Sequence, residues 1–283
     1  MSYRHVLLAL DPQHDPGLLL PRVQQLLHTS AHTLTLISVL PPLTPAAEWA
    51  AKRDWLDQIE GICSSVQVAV HEVRVESGEV AEQLRLAVEE LQADVLVLGH
   101  HPRMGGLPPL LGRLLPLTGC DVLVLDPQHD PWRQPPRMQV AVSLDVAGFA
   151  LLQRALQVAH QWHAVPEVLH CVSPLAQARL AIELEGAADP WLNEAVARAE
   201  HQLADWMARL PAPVPRWQVL VGEPGVQLLR AQQHVGSDLL LLGDHSLHAH
   251  LLQQHALPVL QQGCADLLIL HAGPPTPSTA SGA

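Results

Sequence analysis

Short apolar runs alternate with stretches of helical period along the whole chain. In the first half the runs fall at 4–10, 33–39, 68–75, 94–98 and 121–125, each bounded by polar, Gly or Pro residues, as buried parallel strands are. The first run, Val6 to Leu10, is stopped by Asp11. Between the second and third runs, Thr44 and Pro45 suit an N-cap and a first helical position. Trp49, Leu56, Ile59 and Cys63 then recur at the spacing of one helix face, which predicts that this face is core. Its counterpart begins at Asp189-Pro190 and carries Leu192, Val196, Ala199, Leu203, Trp206 and Leu210 with the same period. A further helix over 79–92 has Ser77 and Gly78 as cap candidates, with Val80, Leu84, Ala87, Val88 and Leu91 on one side. Strand and helix alternating in this way predict an α/β fold whose parallel sheet is covered on both faces.

The pattern repeats itself. Gly78-Glu79 through Asp94-Val95-Leu96-Val97-Leu98-Gly99-His100-His101 matches Gly222-Glu223 through Asp238-Leu239-Leu240-Leu241-Leu242-Gly243-Asp244-His245 at a constant offset of 144 (222 − 78). The same offset relates Gly119-Cys120 to Gly263-Cys264, each ahead of a short apolar run. Val6 to Asp11 is similar to Val140 to Asp145 at an offset of 134 (140 − 6), so the halves share a plan and not a length. The expected organisation is two tandem doubly wound domains, 1–126 and 138–271, a stiff and exposed linker at 127–137, and a disordered tail at 272–283. Val122 to Leu125 and Leu267 to Leu270 are then the edge strands of their own sheets.

Composition narrows the function classes. Of 283 residues, 48% are hydrophobic and 16% charged, enough for two sizeable cores. A net charge of −12 with 3% aromatics offers neither a phosphate-tracking groove nor a base-stacking platform, so nucleic acid is not an expected partner. No apolar run reaches the length of a membrane span. Cys63, Cys120, Cys171 and Cys264 are far apart and lack a C-x-x-C spacing, which fits reduced thiols, no disulfide and a cytoplasmic location.

The residues at the strand ends carry a family resemblance. An Asp closing the first strand, a strand ending in Gly with a His two residues later, then a loop, a helix and a last strand together resemble the universal stress protein family. Nucleotide-binding members carry Gly, two residues, Gly, nine residues, Gly and then Ser or Thr after the fourth strand, a loop whose amides approach phosphate oxygens. Here Gly99 and Gly112 keep that separation, Pro102 stands for the middle glycine and Arg113 for the hydroxyl. Proline supplies no amide donor, whereas the planar fork of Arg113 suits either a phosphate or plain solvation near a helix start. The resemblance implies ATP in the first half, with Asp11, Gly99, His101, Gly112 and Arg113 as the nucleotide residues. In the second half only Gly243 survives of the loop glycines, Leu257 stands at the hydroxyl position, and Asp244 would oppose a phosphate. Asp145 matches the family aspartate but also reads as a turn or cap residue. The resemblance further implies that the last strands of the two halves pair within one chain; a homodimer and other protein partners are left open.

Histidine density invites a metal. The sequence holds 18 His, of which His245, His248, His250 and His255 fall within eleven residues. They form a candidate zinc loop without any standard ligand spacing, against a solvated His-rich loop. His170-Cys171, at the end of a strand at 166–172, reads rather as a buried thiol packing as a small hydrophobe. No serine lies in a nucleophile elbow and no cysteine has a base partner at a recognisable spacing. The string Asp-Pro-Gln-His-Asp-Pro occurs at 11–16 and again at 126–131, each time after a strand, where it makes sense as turn chemistry. The leading expectation is a stress-response binding and signalling protein with nucleotide as a regulatory ligand. A slow ATPase or zinc-dependent hydrolase, and an interaction protein with degenerate sites, are the alternatives.

Overall fold

The structure is a computed structural model that describes residues 3–12, 16–27, 33–42, 44–66, 69–100, 107–173, 188–244, 262–263 and 265–271. The first half contributes strands β1 (His5–Leu10), β2 (Thr33–Leu40), β3 (Glu72–Ser77), β4 (Val95–Gly99) and β5 (Asp121–Leu125). The second contributes β6 (Arg137–Ala141), β7 (Val165–Val172), β8 (Arg216–Val221), β9 (Leu239–Gly243) and β10 (Asp266–Leu270). Helices α1 (Leu20–Leu27), α2 (Pro45–Val66), α3 (Val80–Leu91) and α4 (Leu107–Leu114) belong to the first half, and α5 (Val146–Gln161), α6 (Ala188–Ala208) and α7 (Pro224–Val235) to the second. The order β3-β2-β1-β4-β5-β10-β9-β6-β7-β8 makes one ten-stranded sheet. Every neighbouring pair is parallel except β5 and β10, which run antiparallel with Leu123 opposite Leu268. Each half is therefore doubly wound, and the last strands do pair within the chain. Strands that are edges of their own halves become the middle of the whole sheet, with all residues of both buried.

Strand alternation sorts the core into two layers, each continuous across the halves. Leu8, Val97, Leu123, Val140, Leu241 and Leu268 face the side that also buries Leu20, Trp55, Leu152 and Leu203 of α1, α2, α5 and α6. Leu7, Leu96, Val122, Leu240 and Leu267 face the side covered by Leu84, Leu111 and Leu228 of α3, α4 and α7. The helix faces depart from the expected ones in detail. In α2 the core residues are Trp55 and Ile59, while Trp49 is 77% exposed: of the periodic set Ile59 reaches the core, but the tryptophan that does so is Trp55, six residues after Trp49. In α3 the cap is Glu79 rather than Ser77 or Gly78; its carboxylate accepts from the N–H groups of Ala81 and Glu82, and Val80 is exposed while Ala81 takes its place in the core. In α6, Ala199, Leu203 and Trp206 are buried as the period requires.

The register also corrects the relation between the first strands. Val6 pairs with Val95 and Met138 with Leu239, so Val6 and Met138 hold the same place and the offset is 132 (138 − 6), not 134. The structural counterpart of Asp11 is Ser143. The apolar run Val140 to Leu144 misleads because the strand ends at Ala141 and the run continues into the turn ahead of α5.

Where the halves meet, a buried aspartate opens each central strand and is satisfied largely from the other half. Asp121 accepts hydrogen bonds from Tyr3 Oη (2.7 Å), Arg154 Nη2 (2.8 Å) and the backbone N–H of His271 (2.8 Å). Asp266 accepts from Arg22 Nη2, from Trp132 Nε1 (2.6 Å), from the backbone N–H of Asp126 (3.0 Å) and from His129 Nδ1 (3.3 Å). Arg22 of α1 and Arg154 of α5 are again separated by 132 (154 − 22), so the exchange follows a pseudo-two-fold axis through the Leu123–Leu268 pair. Burial, together with the Asp121 carboxylate beside it, pushes the Tyr3 phenol well above its usual range. A row of rings lies beneath the junction, with Trp162 packed on Tyr3 at 5.8 Å and on Trp132 at 5.4 Å between centroids.

The linker is consequently not the exposed spacer that its prolines suggest. It has no regular structure, but Trp132 is buried, and His129 lies between the Asp266 carboxylate and the carbonyl of Gly263, 3.3 Å from Nε2. Both ring nitrogens face acceptors, an arrangement that only the doubly protonated imidazolium fills with two donated bonds. Burial opposes that charge, but the Asp266 hydrogen bond and the charges of Asp266 and Asp126 outweigh it and hold His129 above the usual imidazole range.

Two outcomes follow from this junction. Arg22→Ala leaves the Asp266 carboxylate buried without its cation and is expected to destabilise the chain by about 3–5 kcal/mol in denaturant unfolding. His129 has a folded pKa above its unfolded value, so its contribution is complete below about pH 6.5 and is lost as pH rises through the folded value. The stability difference between wild type and His129→Gln is therefore expected to be largest in mild acid and to vanish at alkaline pH.

Candidate functional site

In each half the chain turns back at the strand numbered first in sequence order, so β1 and β4, and likewise β6 and β9, lie side by side with their helices leaving toward opposite faces. Beyond the carboxyl ends of such a pair is a crevice bounded by two loops, where open α/β sheets place their ligands. In the first half Ala9 is level with Leu98, which brings Asp11, just past β1, beside Gly99 and His100 at the end of β4. Asp11 is exposed and His100 is buried, its N–H donating to the carbonyl of Leu125 at 2.7 Å. A Cβ on Gly99 would stand 2.7 Å from Leu19 Cδ1, so the glycine leaves room for the end of the Leu19 side chain, which would otherwise have to shift. His101 and Pro102 lie outside the described residues.

Gly112 and Arg113 are placed differently from the family expectation. Both lie within α4, and nothing stands within 4 Å of a Cβ built on Gly112, so no crowding demands a glycine there. Arg113 is in the last turn of α4, where the helix dipole favours a cation, rather than near a helix start. Its Nη1 pairs with Glu79 Oε1 at 2.8 Å across the surface between α4 and α3. The hydrogen bonds that Glu79 accepts from the N–H of Glu82 and of Ala81, with the Arg113 charge, hold its carboxyl below the ordinary range.

In the second half the carboxylates past β6 and β9 are engaged by the protein's own groups. Asp145 is the N-cap of α5, accepting from the N–H of Gly148 (2.7 Å) and the hydroxyl of Ser143 (3.0 Å). A Cβ on Gly148 would stand 1.8 Å from the Ser143 carbonyl oxygen, so this turn closes only around a glycine. Asp244, next after β9, pairs with His271 Nδ1 at 2.6 Å. His245, His248, His250 and His255 lie outside the described residues, and no group of three or more His, Cys, Asp or Glu able to hold a metal occurs among the described ones. His170 donates from Nδ1 to the carbonyl of Val142 at 2.9 Å, and burial pushes the Cys171 thiol up to about 12. That thiol is a packing group against the sheet, as the sequence suggests.

The residues that the sequence pattern missed are those of the junction. Their signal is present in hindsight: Asp121 and Asp266 each open an otherwise wholly apolar strand. The second copy of the Asp-Pro-Gln-His-Asp-Pro string also has a task, since Asp126 accepts from the N–H of Gln128 at 2.8 Å and the turn presents His129 to Asp266.

Comparison with known proteins places this architecture. The model of the Universal stress protein family matches residues 2–125 and again 136–271. Universal stress protein D of Escherichia coli (strain K12) is 28% identical over 138 residues, spanning 44% of this chain and 96% of that protein. Among solved structures, a universal stress protein from Archaeoglobus fulgidus DSM 4304 aligns with a TM-score of 0.65 at 12% identity, over 94% of this chain and 96% of that one. A functionally unknown protein from Pseudomonas aeruginosa PAO1 aligns with a TM-score of 0.64 at 17% identity, over 95% of this chain and 93% of that one. At these identities the structural likeness is one of fold, extending over both halves.

Asp145→Ala removes the cap of α5 and is expected to cost about 1 kcal/mol in denaturant unfolding. Gly148→Ala should cost clearly more, because its new methyl meets backbone and not a movable side chain.

Proposed function

Because the chain belongs to the universal stress protein family, we propose that it is a cytoplasmic binding and signalling protein of the stress response, with an adenine nucleotide as regulatory ligand in the β1/β4 crevice of the first half. The reading rests on the difference between the two crevices. In the second half the Asp145 carboxylate is used as a helix cap and the Asp244 carboxylate is set in the loop where phosphates would lie. In the first half Asp11 is exposed at the strand end beside Gly99. A carboxylate so placed accepts ribose hydroxyls, the task acidic residues perform in other nucleotide crevices.

Arg113, at the surface between α4 and α3, is the cation assigned to the terminal phosphates in this reading. Its pair with Glu79 is a surface contact, with the Arg113 side chain 60% exposed, so a phosphate can exchange for the glutamate at little desolvation cost. Pro102 supplies no amide to a phosphate, so the first half is a weaker nucleotide site than the complete glycine loop and relies on Arg113 for the terminal phosphates. ATP is accordingly favoured over AMP. In this reading nucleotide acts by occupancy, as a regulatory ligand.

Calorimetric titration of the full chain with ATP and with AMP tests the reading. One site per chain is expected, with Asp11→Ala and Arg113→Ser each weakening ATP by about tenfold or more, the loss of one hydrogen bond to a charged group. Arg113→Ser should affect AMP less than ATP, and Asp145→Ala should leave both unchanged. Failure of both nucleotides to bind would favour the interaction-only reading instead.

A further inference from the structure

The ten-stranded sheet ends in β3 on one side and β8 on the other, and the two edges are not protected alike. Among the described residues β3 is bonded only to β2, and β8 only to β7. An open edge presents unpaired N–H and C=O groups, and charged side chains are one means of keeping a second strand off it. β3 has them. Glu72, Arg74 and Glu76 alternate along the strand, and Arg74 bridges Glu72 and Glu90 of α3 at 2.8 Å each. The groove between β3 and α3 is lined by Arg74, Glu76, Leu86, Glu89 and Glu90. The corresponding residues of the second half, 144 positions on in the same register, are Gln218, Leu220, Arg230, Gln233 and His234, with Arg216 in place of Glu72.

Charge and apolar exposure both mark the β8 edge. Residues 65–91 include Glu72, Glu76, Glu79, Glu82, Glu89 and Glu90, whereas 209–235 include Glu223 as their one acid, together with Arg209, Arg216 and Arg230. Glu223 accepts from Ser173 Oγ at 3.0 Å, and Glu167 on the neighbouring strand is engaged by Gln139 (3.1 Å) and Gln218 (3.5 Å). A chain of net charge −12 repels its own copies over most of its surface, so an acid-poor face is where another copy can approach. Val214, just ahead of β8, and Val221, its last residue, are 49% and 44% exposed, and Trp217, Val219 and Leu220 between them are half-buried. An exposed valine at each end makes the edge self-complementary, because a two-fold axis through the middle of β8 brings the Val214 end of one copy to the Val221 end of the other. We propose that β8 pairs antiparallel with β8 of a second copy, so that the sheet continues from one chain into the next. The pairing satisfies the outward backbone groups of both strands and covers both valines. It lies in the other half from the nucleotide crevice and is independent of that reading.

Sedimentation equilibrium of the full chain over about 1–100 µM should show a monomer–dimer equilibrium. Hydrogen exchange read by mass spectrometry should show amides within 216–221 becoming more protected as protein concentration rises, with those of 72–77 unchanged. Val214→Lys and Val221→Lys, both at exposed positions, set a cation against the partner's Arg216 end and should each weaken the dimer by about tenfold or more. Leu86→Lys, in the groove along β3, should leave it unchanged. The exchange measurement needs no variant, so it decides the matter even where a substitution disturbs the fold. A monomer throughout that concentration range, protection of 216–221 that does not vary with dilution because the same chain covers the strand, or a dimer indifferent to both lysines would overturn the proposal.

Discussion

Asp121 and Asp266 are carboxylates placed at the start of strands that are otherwise buried leucine, valine and isoleucine, and the antiparallel pairing of β5 with β10 has to satisfy both. Apolar burial, at about 1.5–3 kcal/mol for each side chain from Val122 to Leu125 and Leu267 to Leu270, supplies the strength of the central strands. It does not by itself select the alignment, because a slip of two residues along either strand keeps the same side chains on the same faces. The carboxylates do select it. A slip moves Asp121 away from Arg154 and the His271 N–H, and Asp266 away from Arg22 and the Asp126 N–H, leaving two buried charges unpaired. A buried ion pair adds little net stability over an apolar pair of the same shape, but losing one partner costs several kcal/mol, so these pairs act as alignment devices.

The same junction explains how two halves of one plan came to differ. A symmetric pair would have two equal ends, but a tandem chain has one linker, and it leaves from β5 only. That linker buries Trp132 against the ring row of Tyr3 and Trp162 and sets His129 on Asp266. At the far ends of the strands the difference is of another kind. The turn after β6 closes tightly about Gly148 and uses Asp145 as a cap, whereas the turn after β1 leaves Asp11 exposed beside Gly99. Family membership accounts for the shared scaffold, and the local turn chemistry accounts for the different use of the two strand-end aspartates.

Much was legible from residue pattern alone. Alternating apolar runs and helical periods determined the α/β class and the duplicated Gly-Glu to Leu-Gly string determined the tandem plan, because strand burial and helix period are local consequences of local sequence. The pattern was less informative wherever one residue had to choose between two neighbours that only the fold supplies. Trp49 or Trp55 as core, Gly78 or Glu79 as cap, and 134 or 132 as the offset of the first strands were each settled by which side chain the sheet could reach. Arg113 shows the same limit, since the sequence puts it next to Gly112 but only packing of α4 on α3 turns it toward Glu79. The junction was the least legible part. An aspartate ahead of an apolar strand is unremarkable until a second strand from 145 residues away (266 − 121) is laid beside it, and the donors that justify it, Arg22, Arg154 and two backbone N–H groups, come from the other half of the chain. Sequence determined what each half would be; which carboxylates face which donors was decided by tertiary structure, because that contact is between elements no local pattern connects.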